Sequence, residues 1–352
     1  MKTFIIALLS SVSVYSFADT DEVKTKVGFV VDTNYSYATN QKDLSESYFT
    51  YPTRNNELGL NLALLKAKVE TSKVVANFGL QTGASVYKYS QREDRDPAKN
   101  FNQADLVSMI HEASVTYEAA NNFWIQAGIF PVELAGESFI SSQNLTYTRS
   151  LIADAMPYFL SGVRAKIRTS DSWEFGLGVV NGVRLLDVNG NKSFTLDIKY
   201  QPRPKFSVLF HAVMGEEVRY RFFYNLVVNY QPMDFWEAKF ITAIGFQTKP
   251  GGGHYAYWFT FNSTQRFRLN DTFALGTRLE YYWDKYQTNY TTSTLLGFQT
   301  KGVSANLDTQ LSPNLVWRNE VRYLNSLDAI FGATTPTNDT VGFVTSLTFS
   351  GI

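Results

Sequence analysis

Long stretches of this chain alternate, residue by residue, between apolar or aromatic side chains and small, polar or charged ones. In the first stretch Val27, Phe29, Val31, Thr33, Tyr35 and Tyr37 take one face, and Gly28, Val30, Asp32, Asn34 and Ser36 the other. Phe194, Leu196, Ile198 and Tyr200 alternate with Thr195, Asp197 and Lys199. Trp236, Ala238, Phe240, Thr242, Ile244 and Phe246 alternate with Glu237, Lys239, Ile241, Ala243 and Gly245, and Phe273, Leu275, Thr277, Leu279, Tyr281 and Trp283 with Ala274, Gly276, Arg278, Glu280, Tyr282 and Asp284. A period of two is that of a β-strand, whose successive side chains point to opposite faces.

Carried along the chain, this pattern predicts about sixteen strands, near 26–37, 57–69, 74–88, 108–118, 123–130, 158–168, 173–180, 194–200, 205–214, 221–230, 235–246, 254–265, 272–284, 294–310, 315–324 and 340–350. The phase slips once in strand 2, at Leu64-Leu65, and once in strand 14, at Gly302-Val303, which predicts bulges there. The connections alternate in length. Short ones made of turn formers are ETSK at 70–73, AANN at 119–122, TSDS at 169–172, QPRP at 201–204, QPMD at 231–234, RFRLND at 266–271 and LSPN at 311–314. Those on the other side are mostly longer, notably 38–56, 89–107, 131–157 and 325–339. Tight turns at one end and long loops at the other mark an all-β, up-and-down antiparallel transmembrane barrel of the bacterial outer membrane.

Charge placement and aromatic banding support that reading over a soluble β-sandwich. Lys66, Lys68, Glu112, Arg164, Lys166, Arg168, Glu174, Asp197, Lys199, Glu237, Lys239, Arg278, Glu280, Arg318, Glu320 and Arg322 all fall on the non-apolar face. A basic side chain facing lipid at mid-membrane would cost roughly 2–4 kcal/mol. Tyr117, Phe123, Trp173, Tyr200, Phe206, Tyr230, Trp236, Phe273 and Phe349 gather beside the short turns, where a ring with a polar tip sits at headgroup level.

Composition narrows function further. The 352 residues carry 32 basic and 32 acidic side chains, leaving no electrostatic footprint for nucleic acid. The absence of cysteine excludes disulfides, thiolate metal sites and Cys nucleophiles. Lys2, the apolar run from Phe4 to Leu9, and Ser16-Phe17-Ala18 read as a signal peptide over residues 1–18, with the barrel domain occupying 19–352.

The segment AGIFPVELAGESFISSQNLTYTRSLIADAMPYFLSGVRAKI, residues 127–167, resembles β-barrel porins of the OmpL-like type, through its G-x-F, G-E, N, Y-x-R-S, P and G-V elements. LEYYWD at 279–284 and RNEVRY at 318–323 are similar to strands near that family's C-terminus, and FPVELAGE resembles the acidic third-loop element of general diffusion porins. Val341 to Phe349 is similar to a barrel-assembly signal, though the chain runs on to Ser350-Gly351-Ile352. The resemblance implies an outer-membrane pore for ions and small hydrophilic solutes, surrounded by lipid, with a third outer loop folded into the lumen and, by analogy with general porins, a homotrimer.

A barrel of about sixteen strands leaves an aqueous channel, and the small inward residues, Gly176, Gly178, Gly245 and Gly276 among them, cannot fill it. The longest loop, 131–157, is therefore the expected constriction. It carries Glu133, Glu137, Arg149 and Asp154, while Arg164, Lys166 and Arg168 follow it along strand 6. Arg278, Arg318 and Arg322 would stand across the pore from Glu133 and Glu137, creating a transverse field. A barrel enzyme of the lipase or protease type is the alternative. It would have to use His111, placed by phase on the apolar face, inward-facing His211, or His254 beside Gly251-Gly252-Gly253, and none sits in a catalytic motif. The tri-glycine lacks the rest of a phosphate loop, and DVNGN at 187–191 lacks the later ligands of a calcium loop, so neither cofactor nor metal is expected. An adhesive role would fall to the loop around Tyr48-Phe49-Thr50-Tyr51.

Overall fold

The computed structural model describes residues 22–39, 55–92, 108–132, 134–182, 191–216, 220–249, 254–332 and 335–352. The expected signal peptide, Glu133, the tri-glycine, the aromatic loop at 48–51 and most of the 187–191 segment lie outside these residues. The strands are β1 Lys24–Ala38, β2 Glu57–Glu70, β3 Val74–Thr82, β4 Ile110–Ala120, β5 Phe123–Pro131, β6 Phe159–Arg168, β7 Trp173–Val180 and β8 Ser193–Arg203, followed by β9 Phe206–Glu216, β10 Tyr220–Met233, β11 Trp236–Thr248, β12 Tyr255–Arg268, β13 Phe273–Asp284, β14 Phe298–Ser312, β15 Leu315–Ser326 and β16 Asp339–Ser350. Each pairs with its sequence neighbours, and β1 pairs antiparallel with β16 from Val30↔Ser350 to Ala38↔Gly342, closing the barrel. Closure removes every free sheet edge, which is what lets strands cross a bilayer.

The alternation has the phase that a lipid-embedded barrel needs. Leu279 is 60% exposed on the outer surface, while its neighbours Arg278 and Glu280 are 0% and 5% exposed on the inner one. Aromatic residues next to the short turns meet in pairs across strands: Trp173 with Tyr200 at 4.4 Å, Phe29 with Phe349 at 5.0 Å and Phe206 with Tyr230 at 6.2 Å between ring centroids.

Three local departures from strict alternation have physical causes. Strand 3 stops at Thr82, not near 88, because Gly83 takes φ +132° within close reach of the Asn61 carbonyl, and a helix, Ala84–Arg92, follows. That helix is tied to the wall by Ser85 Oγ, which donates to Asn61 O at 2.8 Å. The β2 bulge lies at Asn61, where Asp32 pairs with Leu62 and Thr33 with Leu60, and not at Leu64-Leu65. It turns both Asn61 and Leu62 inward. Strand 14 begins at Phe298, because Asp284 gathers the amides of Thr288, Asn289 and Tyr290 into a loop; it runs regularly through Gly302-Val303 and is irregular only at its turn, between Gln310 and Ser312.

A hydrophobic core lies inside the barrel. Leu134, Phe139, Ile140, Leu151, Ile152 and Met156, all from the third outer loop, L3 (residues 132–158), cluster with wall residues Phe223, Val227, Ile241, Trp258, Tyr282 and Phe298. Trp258 stacks between Phe223 and Tyr282 at 5.8 and 5.6 Å, and the absence of a side chain at Gly245 makes room for its indole.

Candidate functional site: the L3 crossing and the wall it leaves open

L3 begins at the end of β5 and reaches inward-facing residues of β1, β13, β14 and β15 on the far side of the lumen. Thr148 donates through its backbone N–H to Glu320 Oε2 at 2.7 Å and through its hydroxyl to Glu320 Oε1 at 2.8 Å. Tyr147 N–H donates to Asn306 Oδ1 at 3.2 Å and Ser141 Oγ to Asp32 Oδ2 at 3.0 Å. The short helix Leu151–Ala155 is capped by Ser150, and its first N–H groups meet carboxylates: Ser150 N–H donates to Glu137 at 2.9 Å and Leu151 N–H to Glu280 at 2.8 Å. Anionic partners at a helix N-terminus satisfy amides that have no intrahelical acceptor.

The wall answers with cations. Arg278 Nη1 donates to Thr148 O at 2.6 Å and Thr146 Oγ1 at 3.0 Å, and its Nη2 to Thr148 Oγ1 at 2.6 Å and Glu320 at 2.9 Å. Arg318 grips Asp308 at 2.7 and 3.2 Å and donates to the L3 carbonyls of Ser141 at 2.6 Å and Asn144 at 3.1 Å. Arg322 donates to Glu280 at 2.9 and 2.6 Å. The Arg278–Glu320 and Arg322–Glu280 bridges join β13 to β15 over β14, whose inward residues at the crossing are Gly302 and Ser304. A Cβ on Gly302 would stand 2.8 Å from Glu280 Oε1. At Gly276 the L3 backbone itself approaches, with Leu145 O 2.9 Å from where a Cβ would sit.

This arrangement corrects the expected transverse field. Arg278, Arg318 and Arg322 are buried and each faces a carboxylate of its own wall, so they hold L3 and present little free charge to the lumen. Glu137 is buried as well, accepting from Ser150 N–H and Oγ. Burial pushes its carboxyl above the usual carboxylate range, against the opposing pull of Arg278 and the Ser150 bonds. Arg149 lies within L3, its guanidinium 4.4 and 4.5 Å from the Phe139 and Tyr158 rings and bonded to the carbonyls of Ser138 and Phe139. Asp154 is buried within the helix Leu151–Ala155. Lys239 reaches the carbonyl of Gly136, another anchor.

Asp32 is the anchor that sequence reasoning missed. Its buried carboxylate accepts from Asn61 Nδ2 at 2.7 Å, Thr348 Oγ1 at 2.9 Å, Ser141 Oγ, and the Tyr147 hydroxyl at 3.4 Å, so β2, β16 and L3 meet on the first strand. The one available signal was a lone carboxylate between Val30 and Asn34 on the inward face of β1. The crevice between Thr148 of L3 and Glu320, Arg322, Leu324 and Val344 measures about 30 Å3, room for a water or two.

Across the lumen the geometry differs. Arg164, Lys166 and Arg168 line a cavity of about 240 Å3 together with Thr116, Trp124, Gln126 and Glu174. The histidines lie apart from one another. His111, the residue skipped where Gly79 pairs with Glu112 and Leu80 with Ile110, is turned by this bulge to meet Gln81 at 3.0 Å and the Phe159 ring at 5.0 Å, and does not face lipid. His211 Nδ1 contacts Asp197 at 2.6 Å, and His254 is exposed before β12. Among the described residues no group of three or more His, Asp or Glu is placed to hold a metal ion.

The sequence pattern of the family described as "Putative beta-barrel porin-2, OmpL-like" matches residues 24–350. The fold is similar to that of an anion-selective porin from Comamonas acidovorans (TM-score 0.59, 10% identity, 94% of this chain and 100% of that one). It is similar also to the outer-membrane OmpT of Vibrio cholerae (TM-score 0.62, 9% identity, 95% and 100%) and to OmpF of Salmonella typhi, solved with daunomycin (TM-score 0.61, 12% identity, 93% and 97%). No curated protein matches the sequence.

Proposed function

Since the chain belongs to the OmpL-like β-barrel porin family, we propose that it forms a water-filled outer-membrane channel whose open path runs between L3 and the inner wall of β4–β7. The observation that carries this reading is the contrast between the two walls. Against β1 and β13–β15 the loop is bonded at close range, whereas the cavity beside β4–β7 is lined by Trp124 and six polar or charged side chains, three of them cationic. Ions and small hydrophilic solutes would diffuse passively along that side, and apolar solutes would be disfavoured by the charged lining. Arg164, Lys166 and Arg168 are the lining residues that set its local potential. Arg278, Arg318, Arg322 and Glu137 contribute by keeping L3 in place.

Purified protein in planar bilayers tests this directly. Stable ohmic steps in KCl are expected; a folded barrel that yields no steps but hydrolyses lipid or peptide would favour the enzyme reading instead. We also propose export through cleavage after Ala18, checked by a mature N-terminus at Asp19, and assembly as a trimer. The trimer is by analogy with the Vibrio cholerae OmpT, of which a trimer form has been solved. Native mass measurement in detergent decides it, a single-barrel mass counting against the trimer.

A further inference from the structure

On the wall that L3 leaves open, Arg164, Lys166 and Arg168 occupy three successive inward positions of β6. Same-face positions on a strand are about 7 Å apart, so the three form a column descending toward the turn at 169–172. Arg164 is held in position: its Nε donates to Gln126 Oε1 at 2.7 Å and its guanidinium lies 4.2 Å from the centre of the Phe130 ring. Among the described residues its two terminal amino groups take no hydrogen bond. Lys166 and Arg168 approach Glu174 only to 3.5 and 3.6 Å, longer than a strong charge-assisted hydrogen bond. Asp197, across Gly176, is already engaged by His211. On β7, Gly178 pairs with Arg164 and Gly176 with Lys166, so beside those two cations the neighbouring strand adds no side chain, and Glu174, opposite Arg168, is its one contribution to the lining.

We propose that this recess is a binding site for small doubly charged oxyanions, inorganic phosphate or a short dicarboxylate, on the path through the barrel. The lining carries three cations against one carboxylate, Glu174, with Asp197 behind Gly176 as the next, so the recess stays net positive and favours an anion that two of the cations can hold at once. A planar guanidinium with both terminal amino groups uncommitted suits two oxygens of one oxyanion group, and the ammonium one step down supplies a second contact. The proposal deepens the porin reading and rests on it for the claim that the site lies on the conducting path.

The test combines two readouts on the full folded chain. In bilayers, inorganic phosphate or succinate added to KCl should lower the chloride current saturably. In detergent, phosphate should give a saturable heat by titration calorimetry. Arg164→Gln with Lys166→Gln should raise the half-saturating phosphate concentration at least about tenfold in both, the equivalent of one lost charge-assisted contact. Arg164→Lys should lie between wild type and the double variant, and Lys205→Gln, in an exposed turn, should match wild type. Heat-modifiable gel migration reports folding; if the double variant does not fold, Arg164→Lys and Lys166→Gln singly carry the comparison. Phosphate effects that merely follow ionic strength, or are equal in wild type and variants, overturn the site. Saturable heat lost in the variants, in a protein that never conducts, would keep the site and sink the porin reading. Ohmic steps without saturable phosphate would do the reverse.

Discussion

Replacing Arg278 with Met should release L3 from the far wall without unfolding the barrel. The guanidinium makes four hydrogen bonds, three of them to L3 at Thr146 and Thr148 and one to Glu320. Met keeps much of the volume but leaves Glu280 and Glu320 with less positive charge nearby and removes donors from Thr148 O. Losing one partner of a buried ion pair costs about 3–5 kcal/mol, most of it from the charge left behind. That corresponds to roughly two to four powers of ten in the ratio of docked to undocked loop. The remaining anchors, Arg318 on Ser141 and Asn144 and Asp32 on Ser141, would then have to hold the crossing. Single-channel recording should show larger steps and added current noise as the loop leaves the lumen, and a protease should cut within 132–158 faster. The shift in reversal potential should be smaller than that of Arg164→Gln with Lys166→Gln, because Arg278 is charge-balanced by its own wall. Unchanged step size, noise and protease resistance in a properly folded barrel would refute the view that this cluster holds the loop.

Gly276→Val places a branched side chain where Leu145 O lies 2.9 Å from the Cβ position, and the same rise in conductance and noise is expected by displacement alone, with charge untouched. For the barrel phase, a water-soluble thiol reagent should modify Lys239→Cys and leave Leu279→Cys unreacted in the folded protein; the opposite order would mean the faces are reversed. Loop docking should strengthen on acidification: Glu137 has a raised carboxyl pKa in the folded state, so the docked form binds the extra proton, and stability falls as pH climbs from the ordinary carboxylate range through the raised value. Glu137→Gln should flatten that dependence, read by protease protection of L3 at pH 4 and pH 7.

The strands were legible because their signal is local. An inward Glu280 next to an outward Leu279 fixes the phase wherever it occurs, and a lipid-facing charge is penalised at every step along the chain. The ends of β3 and β14 were less legible, since Gly83 and Asp284 redirect the backbone through contacts with other segments. The loop anchors were opaque for a stronger reason. Tyr147 and Asp32, or Arg318 and Ser141, lie far apart in sequence, and no periodicity carries information about such a contact. One hint was available in Arg278-x-Glu280 and Arg318-x-Glu320-x-Arg322, where opposite charges alternate on a single face. Side chains so arranged can neutralise one another across strands, and a wall that neutralises itself is poor material for a field but well suited to holding polar backbone.

The unequal commitment of the two walls has a consequence for how such a channel can change over generations. On β13–β15, substitution of Arg278, Glu280, Asn306, Arg318 or Glu320 disturbs a partner in L3, so mutations there are filtered by folding. On β6 and its neighbours the inner residues answer mainly to the solvent and to whatever passes. Exchanging Lys166 for a neutral polar residue would alter what the barrel admits at modest structural expense, whereas at Gly178 even a Cβ would stand 2.5 Å from Thr195 Oγ1. Lineages facing different nutrients could therefore diverge in permeability through a handful of positions on one side, while the opposite side stays fixed as the part that makes the molecule fold.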